Sequence, residues 1–127
     1  MRLTIALCLV ILSIPFIAKA DIFDDLAKAI KAGDSKLVAQ YFNKTVDFAS
    51  PTLSDVYSKA QAEILLKEFF TAYPPKNFTL QHRGSSAQGS RYVIGKYEYD
   101  KGSLRVYILI KEQGGQQLIQ ELHFEKE

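Results

Sequence analysis

Cysteine is all but missing from this chain: Cys8 is the only one, and it stands inside an apolar N-terminal run. Everything after that run therefore lacks disulfides and a thiol nucleophile, and a hydrophobic core must hold it together. No block of five or more like charges occurs, so nucleic acid and anionic membrane surfaces are poor partners. His82 and His123 lie far apart, without cysteine or acidic partners at ligand spacing, and no zinc motif is recognisable. The stretch Gly84 to Ser90 lacks the following helix that a phosphate-binding loop requires and reads as a flexible turn. No cofactor or metal is expected from these patterns.

What is present begins with an export signature. Met1-Arg2 is a short positive start, Leu3 to Phe16 is apolar except for Thr4, Ser13 and Pro15, and Ala18-Lys19-Ala20 supplies small residues for cleavage. Residues 1–20 are expected to leave as a signal peptide, with the protein beginning at Asp21 in the periplasm or extracellular space. The run is short of the roughly twenty residues that span a bilayer, so no stable membrane anchor is expected after cleavage. Cys8 follows bulky Leu7, which does not fit a lipoprotein signal. Of 16 basic residues, Arg2 and Lys19 leave with the peptide, so 14 remain against 14 acidic ones and the net charge falls to about zero.

Residues 21–127 are enough for one core. Asp21 caps a first helix with Ile22, Phe23, Leu26, Ala27, Ala29 and Ile30 on one side. Gly33 stops it, and Asp34 caps a second with Leu37, Val38, Tyr41 and Phe42 on one side. Val46 to Ala49 reads as a short strand, Ser50-Pro51 as a turn and Asp55-Val56-Tyr57 as a brief extended piece. Ser58 and Gln61 form a capping box for a third helix striped with Ala62, Leu65, Leu66, Phe69, Phe70 and Tyr73, which Pro74-Pro75 ends. Beyond Pro75 the apolar period changes from 3.6 to 2, and four strands follow: Phe78 to Arg83, Arg91 to Tyr99, Leu104 to Lys111 and Gln116 to Phe124. The order predicts an α+β domain, with helices packed on a curved antiparallel sheet and a conical pocket at its open end.

The residues Val56-Tyr57-Ser58-Lys59-Ala60-Gln61-Ala62, Phe69-Phe70, Pro74-Pro75-Lys76, Gly84-Ser85-Ser86 and Arg105-Val106-Tyr107 resemble, in this order, a family of small exported Bacteroides-type proteins. That family is domain of unknown function 4783, and the resemblance covers essentially all of residues 21–127. It implies a nuclear transport factor two-like, cystatin-like cone and no catalytic residues. The fold hosts pocket enzymes as well as binding and dimerisation modules, so fold alone does not assign an activity.

Four residues are candidates for lining the pocket: His82, Tyr57, Tyr97 and Asp47. His82 shares strand parity with Phe78 and Leu80 and is expected to point inward. Asp47 alternates with Val46 and Phe48 and reads as a solvated carboxylate, while His123, between Leu122 and Phe124, is expected to face solvent. The leading expectation is a non-catalytic binding or interaction module of the cell envelope, with a small ligand or an envelope protein as partner. The alternative is a cofactor-free pocket enzyme of isomerase or dehydratase type, using His82 or Asp47 as acid or base. Leu104, Val106, Ile108 and Ile110 share one strand face and Tyr107 and Leu109 the other, which predicts a homodimer through the uncovered face.

Overall fold

The Asp21 carboxylate accepts from the Phe23 amide at 3.2 Å and starts helix α1, Ile22–Lys31, as the sequence predicts. The computed structural model describes residues 21–85 and 87–127; the predicted signal peptide lies outside the described residues. Phe23, Leu26, Ala29 and Ile30 form the buried stripe of α1, and Gly33 ends it at φ +66°, a conformation that suits a residue without Cβ. Asp34 accepts from the Leu37 amide at 3.0 Å and caps helix α2, Ser35–Ala39.

Helix α2 is shorter than its apolar pattern implies. Five residues are one and a half turns, so Val38 is buried while Leu37 is 45% exposed. Phe42 is not on the helix; it is the first residue of strand β1, Phe42–Ser50, and is buried from there. The predicted four-residue strand is thus the second half of a nine-residue one. Its turn at Pro51-Thr52 leads into strand β2, Leu53–Ser58. Ser58 Oγ accepts from the Gln61 amide at 3.2 Å and opens helix α3, Lys59–Ala72, which buries Ala62, Leu66, Phe69 and Phe70. Strands β3 (Asn77–Ser85), β4 (Ser90–Tyr99), β5 (Gly102–Gln113) and β6 (Gln116–Lys126) follow as an antiparallel meander.

The six strands of the described residues form one sheet in the order β2-β1-β6-β5-β4-β3. The pairing of β1 with β6 is parallel and joins residues more than seventy positions apart, a contact that local patterning does not reveal. Register shifts occur between Leu80 and His82 on β3, at Gln120 on β6, where Leu109 pairs with Glu121 and Ile110 with Ile119, and between Phe42 and Asp47 on β1. Extra residues of this kind bend a sheet and raise its twist, and here they curl it round the helices. Val93, Tyr97, Leu104, Val106, Ile108, Ile110, Ile119, Leu122 and Phe124 line the concave side against α1 and α3. Gly95 belongs to the same row: a Cβ there would lie 2.8 Å from the Phe78 ring and 2.9 Å from the Thr79 carbonyl, so the two strands meet there only because position 95 has no side chain. Among the described residues no helix is long and apolar enough to cross a membrane.

Candidate functional site

The concave side of the sheet, where a pocket is expected, is filled by rings. Phe69 of α3 lies 4.0 Å from Phe124, 5.4 Å from Tyr97 and 5.1 Å from Tyr73, centroid to centroid, and Phe48 closes on Phe124 at 6.2 Å. Tyr97 is fully buried, and its hydroxyl donates to the Tyr73 carbonyl. Burial raises its phenol pKa well above the usual tyrosine value, so it stays a neutral donor. Tyr57 packs edge-on against Phe48 at 6.5 Å as part of the same core. What remains of the pocket is an open groove of about 610 Å³ at the mouth of the cone. Leu53, Leu65, Phe69, Tyr73 and Tyr99 floor it, and Glu68, Asp100, Lys101 and Lys126 rim it. A second cleft of about 670 Å³ lies beside Asp21 and Arg91, whose charges are already engaged: Arg91 meets Asp21 at 3.7 Å and Gln117 at 2.6 Å.

His82 does not point inward. The register shift between Leu80 and His82 inserts Gln81 as an extra residue, so parity reverses and His82 pairs with Ile94 on the convex face, where it is exposed. Asp47 lies on that same face, with Val46 and Phe48 fully buried on the other, as the alternation predicts. The four candidate residues therefore divide between the two sides of the sheet: Tyr57 and Tyr97 inside, Asp47 and His82 outside.

The convex face carries an arrangement that sequence reading did not assemble. His123 Nε2 donates to Asp47 Oδ1 at 3.0 Å, and its Nδ1 lies 3.6 Å from Glu125 Oε1. The His123 side chain is 21% exposed, so it does not stand free in solvent; its imidazole is held between two carboxylates. The Tyr107 ring lies 6.0 Å from His123, Tyr92 lies 6.0 Å from Tyr107, and His82 lies 5.9 Å from Tyr92. The Tyr92 hydroxyl comes within 3.4 Å of His82 Nε2. The result is a ladder of rings crossing β6, β5, β4 and β3, with Asp47 of β1 at one end. Gly84 makes room for it, because a Cβ there would fall 2.3 Å from the Tyr92 ring. Beside the ladder Arg105 pairs with Glu125 at 3.3 Å, and in the register Ile94 stands opposite Tyr107 and Leu109 opposite Tyr92. Burial, with the nearby charge of Glu121 and with Tyr92, raises the Tyr107 pKa against an opposing pull from Arg105. The alternation of Glu121, His123 and Glu125 along β6 is visible in sequence; the placement of Asp47 beside them is not, since it depends on the parallel pairing of β1 with β6.

Among the described residues, a curved six-stranded sheet closed by three α-helices defines a nuclear transport factor two-like α+β cone. A nuclear transport factor two-like protein of unknown function from Pseudomonas putida KT2440 superposes with a TM-score of 0.62 at 14% identity, covering 82% of this chain and 80% of that one. Within this class the chain belongs to the domain of unknown function family DUF4783, which matches residues 23–125. Crystal structures of DUF4783 proteins are similar over most of the chain. The one from Bacteroides ovatus gives a TM-score of 0.75 at 27% identity over 81% of this chain and 93% of that chain. The one from Bacteroides uniformis gives 0.78 at 23% over 84% and 98%. No protein of curated description matches the sequence.

Proposed function

We propose that this protein is an exported, non-catalytic interaction module of the cell envelope that works through the convex face of its sheet, with a second copy of itself as the first occupant. The observation that carries this reading is the contrast between the two faces. Aromatic side chains fill the concave side, whereas the convex face carries a ladder of rings that, among the described residues, no helix packs against. Six strands at about 4.8 Å spacing and some 30 Å of strand length give the face an area of order 800 Å², about what one partner contributes to a standard interface. Its charges are of both signs: Arg105 pairs with Glu125 and Lys96 with Glu98, while Glu121 stands farther along β6 opposite Leu109, so a two-fold related copy can set each sign against its opposite. Tyrosine rings such as Tyr92 and Tyr107 on this face are of the residue type that protein interfaces favour.

Sedimentation equilibrium on residues 21–127 is the test. A dimer is expected, and Tyr107→Glu, which places a carboxylate beside Glu121 at the centre of the face, is expected to dissociate it while leaving the circular dichroism spectrum unchanged. A wild-type chain that stays monomeric at high micromolar concentration contradicts the proposal.

A further inference from the structure

We infer that Asp47, Glu121 and His123 form a binding site for a divalent transition-metal ion, with zinc as the best-fitting chemistry. This inference does not depend on dimerisation. The parallel register sets Asp47 of β1 directly against Glu121 of β6, and His123 follows two positions later on the same face. One side-chain donor atom from each of the three lies within 4.8 Å of the other two. Tetrahedral zinc with bonds of about 2.0–2.1 Å holds neighbouring donors roughly 3.3 Å apart. The 3.0 Å between His123 Nε2 and Asp47 Oδ1 is already near that value, and a Glu121 carboxylate oxygen lies within 4.8 Å of both donors.

Two features beyond the donor count point the same way. Carboxylates placed side by side on adjacent strands repel, and of the cations on this face Arg105 is committed to Glu125, so the Asp47 and Glu121 pair favours a cation between them. The second nitrogen of His123 also faces a carboxylate, Glu125 at 3.6 Å, and Arg105 fixes that carboxylate in turn. A histidine whose non-ligating nitrogen is held by a carboxylate is the usual outer-shell arrangement at metal sites. Tyr107 packs against the imidazole and limits its rotation. One nitrogen with two carboxylate oxygens suits zinc or cobalt; calcium takes six to eight oxygens and magnesium an octahedral shell that keeps several waters. Three protein ligands on an open face leave a fourth position for water.

Isothermal titration of residues 21–127 with zinc chloride tests the site, with cobalt absorption in the visible as a second readout. One ion per chain is expected, with at least about a hundredfold weaker binding in His123→Ala, and about tenfold or more in each of Asp47→Asn, Glu121→Gln and Glu125→Gln. His82→Ala, which removes the other histidine, leaves binding unchanged. The titration is repeated in Ile94→Lys, which blocks face-to-face pairing two strands away, so that a failed dimer and a failed metal site give different results. Absence of a saturable site in both wild type and Ile94→Lys overturns the inference, as does zinc affinity that survives His123→Ala or is lost in His82→Ala.

Discussion

Replacing Phe69 by alanine removes the ring at the centre of the filled cone. Phe69 is 4% exposed and lies within 6 Å, centroid to centroid, of Phe70, Tyr73, Tyr97 and Phe124, which come from α3, the residue that ends it, β4 and β6. Deleting a buried phenyl ring costs about 3–5 kcal/mol in lost transfer energy and cavity formation. The lost ring pairs belong to the same contacts, so the upper half of that range is expected rather than a larger sum. A small domain has about 5–15 kcal/mol in total, so the variant is left with a fraction of its stability. A loss of about 4 kcal/mol corresponds to a Tm lower by roughly 15–30 °C in a domain of this size. Urea unfolding followed by circular dichroism measures it, with Phe69→Leu as the control that keeps most of the volume and loses far less. A cost below about 1 kcal/mol for Phe69→Ala, with unchanged urea dependence, refutes a cone closed by this ring.

Gly95→Ala forces a methyl group against the Phe78 ring and the Thr79 carbonyl and is expected to destabilise by about 1–3 kcal/mol in the same assay. Tyr97→Phe removes the hydroxyl that donates to the Tyr73 carbonyl and is expected to cost about 0.5–1.5 kcal/mol at neutral pH. Because the Tyr97 pKa is raised in the folded state, the unfolded chain releases that proton first as pH passes about 10, and the wild type loses stability above that point. Tyr97→Phe removes this contribution, so its unfolding midpoint falls less steeply in alkaline buffer. Gly84→Ala drives the Tyr92 ring off the convex face and is expected to weaken self-association in sedimentation while leaving secondary structure intact. N-terminal sequencing of the protein recovered from the envelope or culture medium is expected to begin at Asp21; uncleaved protein retained in the membrane contradicts the export reading.

The helices were legible because their signals are local. Asp21, Asp34 and Ser58 cap in the structure as their positions suggest, and the change from a period of 3.6 to 2 after Pro75 marks where the meander begins. The inward row of Leu104, Val106, Ile108 and Ile110 follows from alternation alone. Features that depend on distant pairing were not legible. One extra residue at Gln81 turns His82 from the concave to the convex side, and nothing in the letters distinguishes a bulged strand from a regular one. Phe42 carries the periodicity of α2, yet its burial is decided by β6, where it pairs with Ile119. The placement of Asp47 beside His123 has the same cause: two short polar signals, each bland alone, are joined by a parallel pairing that only the folded sheet specifies.

The proposed meeting place of this protein with its partner is the convex face, not the cone. Amide chemical shifts followed by NMR from low micromolar to near-millimolar concentration test it residue by residue. Concentration-dependent shifts clustered at Tyr92, Ile94, Tyr107, Leu109 and His123 are expected. Shifts confined instead to Leu53, Tyr73 and Tyr99 at the mouth of the cone, or no shifts at any concentration, contradict it.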